Sequence, residues 1–152
     1  MQIDHALQNE KTSLINILQQ MDFDSWYPDV VVGIARGGLA PAVMISHALE
    51  IPMVPITWST RDYIAKATDA NSLIEGYRNV LVVDDIVDSG LTLDELQQTL
   101  GNDGQEIRYA ALYLRHTSDV LPDYVGLDIK NDAWVEFSWE LQGADLRQKA
   151  TH

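Results

Sequence analysis

Nine consecutive residues, Asp84-Asp85-Ile86-Val87-Asp88-Ser89-Gly90-Leu91-Thr92, hold three carboxylates, two hydroxyls and a glycine. Ser89, Gly90 and Thr92 offer hydroxyls and a freely turning backbone just ahead of a helical pattern. Backbone N–H groups at such a helix start suit a phosphate dianion. Asp84 and Asp85 only accept hydrogen bonds when ionised, so they suit sugar hydroxyls or a divalent metal. Asp88 lies between the two regions. A sugar phosphate, held by its hydroxyls at one end and its phosphate at the other, matches this order.

The flanking pattern says which elements position these groups. Val80-Leu81-Val82-Val83 is a continuous apolar run. Such a run suits a strand buried on both faces of a parallel sheet, spanning Asn79–Asp85. Its polar end then lies at the carboxyl edge, where open α/β sheets place their ligands. A plain strand, turn and helix is the simpler reading, and Thr92-Leu93-Asp94-Glu95 does fit a capping box. Capping, however, has no use for three upstream carboxylates. Leu93, Leu96 and Leu100 give the next helix its buried stripe, and Gly101 and Gly104 end it.

Upstream, Val30–Ala35 reads as a second buried strand and Leu39–Glu50 as a helix. Arg36-Gly37-Gly38 joins them. Two glycines let backbone approach an anion closely, and Arg36 can grip it with a planar fork. Ile51–Trp58 is expected to be a strand bounded by prolines. Residues 59–77 are polar and show no clear period, which predicts a functional or mobile loop. Ile107–Leu114 is a further strand, with Arg115-His116 at its ligand edge. At the start, Ile3, Leu7, Leu14, Leu18 and Met21 predict an apolar face on a helix over 3–21. His5 reads as a surface residue and His47 as a packing one.

With these residues in view, Asp84–Thr92 resembles the phosphoribosyl-pyrophosphate (PRPP) signature of type I phosphoribosyltransferases. The resemblance covers about residues 30–140 and looks closest to the small microbial xanthine–guanine and hypoxanthine type. It implies an α/β fold: a central, mostly parallel sheet flanked by helices, with a small C-terminal hood. It further implies one domain over 1–152, with a core at about 28–119 and a hood at about 120–141. The implied reaction transfers the 5-phosphoribosyl group from PRPP to a 6-oxopurine (xanthine, guanine or hypoxanthine), with Mg²⁺ as cofactor, in purine salvage.

The resemblance also assigns roles. Arg36, Gly37 and Gly38 stand for the pyrophosphate loop. Asp84 and Asp85 would hold the ribose hydroxyls, Asp85 also through the metal. Asp88 would accept the purine N7 proton as general base. Ser89, Gly90, Leu91 and Thr92 would anchor the 5′-phosphate. Residues 59–77 fall where the family carries a loop that closes over PRPP, although Ser59-Thr60-Arg61 departs from the Ser-Tyr common in the purine branch. Arg115 stands where a lysine commonly reads the 6-oxo group. Trp134 would stack on the base, the backbone of Val135 would face its exocyclic edge, and Glu140 would meet a second Mg²⁺. The plainer alternative is that Trp134 and Trp139 are core aromatics.

Bulk properties narrow the classes. A chain of 152 residues with 46 % hydrophobic and 22 % charged content can build one globular core. The net charge is −13 and the ten Lys and Arg are scattered, which argues against nucleic acid as a partner. The same acidity means that an anionic substrate needs a bound cation. The chain has no cysteine, no apolar run of ~18 residues, and no basic, apolar leader at Met1-Gln2-Ile3-Asp4-His5. A cytoplasmic protein with no membrane partner is therefore expected. The resemblance adds a homo-oligomer, dimer or tetramer. Two alternatives remain: a PRPP-sensing regulator of the same fold, and a transferase for another base. Adenine fits less well, because it lacks the oxo group that a cation at Arg115 would read.

Overall fold

The computed structural model describes residues 2–130, 133–140 and 146–148. Their order is α1 (Gln2–Asp24), β1 (Val30–Ala35), α2 (Leu39–Leu49), β2 (Met53–Thr57), α3 (Tyr63–Ile74), β3 (Asn79–Val87), α4 (Leu91–Thr99), β4 (Glu106–Arg115) and β5 (Tyr124–Ile129). The strands form one parallel sheet in the order β2-β1-β3-β4-β5. In the central register, Val31 pairs with Leu81 and Val82 with Tyr109. Because every strand runs the same way, the carboxyl ends of β1, β3 and β4 share one edge.

The apolar runs in β1 and β3 are buried on both faces, as a covered parallel sheet requires. One face packs Val80 and Val82 with Ala70 and Ile74 of α3 and Leu93 and Leu96 of α4. The other packs Val31, Leu81 and Val83 with Ile17 and Met21 of α1 and Ala42 and Ile45 of α2. The two outer strands carry their own protection. Pro55 sits inside β2, where an edge strand tolerates a missing N–H. At β5, Asn16 Nδ2 donates to Gly126 O at 2.8 Å and Gln20 Nε2 to Val125 O at 2.7 Å. Those bonds satisfy carbonyls that an open edge would offer to another chain.

Four expectations change. The stretch 59–77 is not a loop throughout, because Tyr63–Ile74 is a helix. Its buried residues are Ala67, Ala70 and Ile74, a stripe too narrow and too small to show as a hydrophobic period. Asn71 ties it to the end of α4, donating to Thr99 O at 2.9 Å and accepting from Gly101 N at 2.8 Å. The buried face of α1 is Ala6, Glu10, Ser13, Ile17 and Met21, while Leu7 is exposed. Two polar residues on the inner face hid this phase from a hydrophobic count; the side chain of Ile3 lies outside the described residues. Third, of the segment expected as a hood, Tyr124–Ile129 is a strand of the main sheet. Residues 133–140 follow without helix or strand, held by the buried Phe137. His47, expected to pack, is exposed. Of the expected tail 142–152, all but 146–148 lies outside the described residues.

Candidate functional site

The strand order reverses between β1 and β3, the place where open α/β sheets form a crevice. The Arg36-Gly37-Gly38 turn leaves β1 there, and the Ala35–Arg36 peptide bond is cis. Gly38 N donates to Ile34 O at 2.8 Å, folding the turn back over its strand. A side chain at Gly38 would strike Val83 O and the Ile34 backbone. At Gly37 it would meet the Asp85 carboxylate. Glycine at both positions thus lets the β1 turn close onto the carboxyl end of β3. Arg36 is exposed on this turn.

Asp84 and Asp85 meet across one peptide. Asp85 N donates to Asp84 Oδ1 at 2.9 Å, and Ile86 N donates to Asp85 Oδ1 at 2.7 Å. Burial, followed by the negative charge of Asp85, pushes the Asp84 carboxyl up to about 8. Such a pair is relieved by a hydroxyl donor or by a cation. Among the described residues no group of three or more His, Cys, Asp or Glu is arranged to hold a metal. A cation here would therefore draw further oxygens from a phosphorylated ligand, as Mg²⁺ commonly does. Glu140 ends the turn that begins at Phe137 and is exposed.

Beyond β3 the chain turns through Asp88, Ser89 and Gly90 into α4. Gly90 has φ +89°, a backbone that favours glycine, and a Cβ there would lie 2.5 Å from Ser118 Oγ. Ser89 Oγ accepts from Leu91 N at 3.3 Å. Gly90 leaves the helix start without a side-chain cap, so first-turn N–H groups remain for an anion. The capping box read from Thr92 and Glu95 is not formed. Glu95 is buried and accepts from Thr60 Oγ1 at 3.2 Å and Trp58 Nε1 at 3.4 Å. A pocket lined by Asp84, Asp88, Ser89, Thr92 and Tyr109 among others lies along this turn.

The base-side expectations divide. Arg115 Nε lies 3.3 Å from Asp88 Oδ1, so the structure brings these two together. Arg115 Nη1 also donates to Lys130 O at 3.1 Å, and Ala133 N donates to the same carbonyl at 3.1 Å. Arg115 thus joins the β3 turn to Lys130, just past the end of β5. Trp134 is 84 % exposed and is no core aromatic. With Val135 it lines a hollow shared with His5, Ala6 and Asn9 of α1 and with Tyr113.

Residues 4–145 match the family model described as the phosphoribosyl transferase domain. The chain belongs to this family. Relatives of this phosphoribosyltransferase include the xanthine-guanine phosphoribosyltransferase of Cereibacter sphaeroides, 35 % identical over 120 residues, or 73 % of this chain and 68 % of that one. The protein of the same name from a Ruegeria species is 32 % identical over 125 residues, with the same coverage. Among solved structures, a purine phosphoribosyltransferase from Pyrococcus horikoshii superposes with TM-score 0.65 at 26 % identity, covering 90 % of this chain and 92 % of that one. A xanthine-guanine-hypoxanthine enzyme from Helicobacter pylori shares the fold at TM-score 0.70 and 23 % identity, covering 93 % and 92 %.

Several residues that shape the candidate site act through contacts that gave no sequence signal. Ser118 and Val120 buttress Gly90 from the β4–β5 connection. Thr117 Oγ1 donates to Asp88 O at 3.4 Å. Glu95 anchors Trp58 and Thr60. Each acts across a gap of 28 or more positions, so spacing along the chain could not reveal it.

Proposed function

We propose that this phosphoribosyltransferase joins a 6-oxopurine (xanthine, guanine or hypoxanthine) to PRPP, as in purine salvage, releasing pyrophosphate. The names of its relatives support the reaction class. The observation that carries the reading in this chain is the Asp88–Arg115 pair beside the phosphate-type turn. The N7 and O6 atoms of a 6-oxopurine share one edge. Asp88 is an acceptor for an N7 proton, and Arg115 is a donor to O6. Adenine offers an amino group there and no acceptor for Arg115.

In the reaction the bond from C1′ to the pyrophosphate oxygen breaks as N9 of the base bonds to C1′. The N7 proton passes to Asp88, which acts as general base. The 5′-phosphate sits on the Ser89–Thr92 turn and fixes C1′ for attack. Asp84 and Asp85 take the ribose hydroxyls. Arg36 and the Gly37-Gly38 backbone receive the leaving pyrophosphate. Asp85 would hold Mg²⁺, which would supply charge neutralisation for that leaving group when bound. Trp134 and the Val135 backbone form the far wall for the base. Glu140 is a weaker candidate for a second cation, being exposed on the segment after Phe137.

The test is release of pyrophosphate from PRPP and Mg²⁺ with guanine present. Guanine-dependent release supports transfer. Tight PRPP binding by calorimetry with no release in the presence of any base would replace the reading with that of a PRPP-sensing protein.

A further inference from the structure

Glu10 is a carboxylate with 0 % exposure in the middle of α1, on a face that otherwise packs Ile17 and Met21. A buried charge is costly unless its oxygens are hydrogen-bonded. Both Glu10 oxygens are used, and both by one residue. Oε2 accepts from Ser138 N at 2.8 Å and Oε1 from Ser138 Oγ at 2.5 Å. Ser138 belongs to the segment 133–140, which has no helix or strand to hold it. The segment also packs on the core through Phe137, whose ring lies 5.7 Å from Tyr113 and stacks at 4.7 Å on Trp139, and through the partly buried Val135 and Trp139. Ring packing buries area but fixes no register. The two-oxygen grip on Ser138 fixes one.

Trp134 and Val135 lie within four residues of Ser138, and the hollow they line is also lined by His5, Ala6 and Asn9 of the same helix. We infer that Glu10 is a positioning residue that sets the place of Trp134 and Val135 by clamping Ser138 to α1. The inference rests on the base-side reading of Trp134 and Val135. It adds that the N-terminal helix, remote from the phosphate turn, governs recognition of the base.

Three variants test it. Glu10→Met keeps the bulk and removes both acceptors. Glu10→Gln keeps an acceptor for Ser138 N and can donate to Ser138 Oγ. Ser138→Ala removes only the hydroxyl and serves if Glu10→Met fails to fold. Glu10→Met should raise the KM for guanine about tenfold, leave that for PRPP within about twofold, and speed hydrogen exchange at the Ser138 amide. Ser138→Ala should shift the guanine KM in the same direction by a smaller factor. Glu10→Gln should restore near-normal values of all three. Faster exchange at Ser138 with an unchanged guanine KM would overturn the role of Glu10. So would parallel changes for both substrates, or a Glu10→Gln as impaired as Glu10→Met. Absence of turnover with guanine, xanthine and hypoxanthine alike in the unaltered chain would instead remove the base-side reading beneath it.

Discussion

Arg115, at the carboxyl end of β4, holds Asp88, just past the carboxyl end of β3, with Nε 3.3 Å from Oδ1. The side chain of Arg115 is 15 % exposed and that of Asp88 is 69 % exposed. A pair this open to water adds little to stability. Its value lies in placing an acceptor and a donor side by side at the mouth of the site. A base that brings both an N–H and a carbonyl oxygen can enter by replacing the pair's own contact.

Asp88→Ala should therefore lower kcat about 10²-fold, the usual scale for loss of a general base, with little change in the KM for PRPP. Arg115→Ala should mainly raise the KM for the base. Steady-state kinetics with each substrate varied in turn separates the two. An Asp88→Ala protein with unchanged kcat would remove Asp88 from proton transfer.

Gly37 and Gly38 should respond differently to alanine. At Gly38 the new methyl meets backbone atoms of Ile34 and Val83, which cannot move cheaply. Gly38→Ala should cost about 3 kcal/mol of stability in denaturant unfolding. At Gly37 the methyl meets the Asp85 carboxylate, a movable group. Gly37→Ala should unfold near the parent midpoint yet bind Mg²⁺–PRPP more weakly by calorimetry. Equal loss of stability in both variants would contradict this division.

The Asp84 carboxyl gives the ligand-free protein a pH signature. Its folded pKa is pushed up to about 8 by burial and by Asp85, while an unfolded Asp titrates near 4. Between these values the folded state holds a proton that the unfolded state has lost. This contribution is complete below about pH 4 and fades as pH rises towards 8. Glu106 shifts the other way, held below the ordinary carboxylate range chiefly by Arg108. The Tm without ligand should thus fall from pH 5 to 8, and Asp84→Asn should flatten the slope. An unaltered slope in Asp84→Asn would show that Asp84 ionises normally.

The phosphate-turn side of the site was legible because its residues are neighbours in sequence. The order of carboxylates, hydroxyls and glycine survives folding, and the apolar run before Asp84 requires a buried parallel strand. The helix Tyr63–Ile74 was not legible, since its buried stripe is largely alanine and its ties run through Asn71 to the far end of α4. The inner face of α1 was misread by its phase, because Glu10 and Ser13 occupy positions that a hydrophobic count assigns to the surface. Glu10 is explained only by Ser138, 128 positions away. The Asp88–Arg115 contact was likewise beyond reach: each residue was singled out, but nothing in the chain says that β4 brings the guanidinium to the aspartate.

Transfer to a 6-oxopurine is tested most directly by nucleotide formation from PRPP and Mg²⁺ with guanine, xanthine, hypoxanthine and adenine supplied separately, quantifying nucleotide and pyrophosphate together. Equimolar nucleoside monophosphate and pyrophosphate are expected from at least one 6-oxopurine and none from adenine. Turnover of adenine at a rate equal to or above that of every 6-oxopurine would contradict it, because Arg115 would then have no oxygen to read.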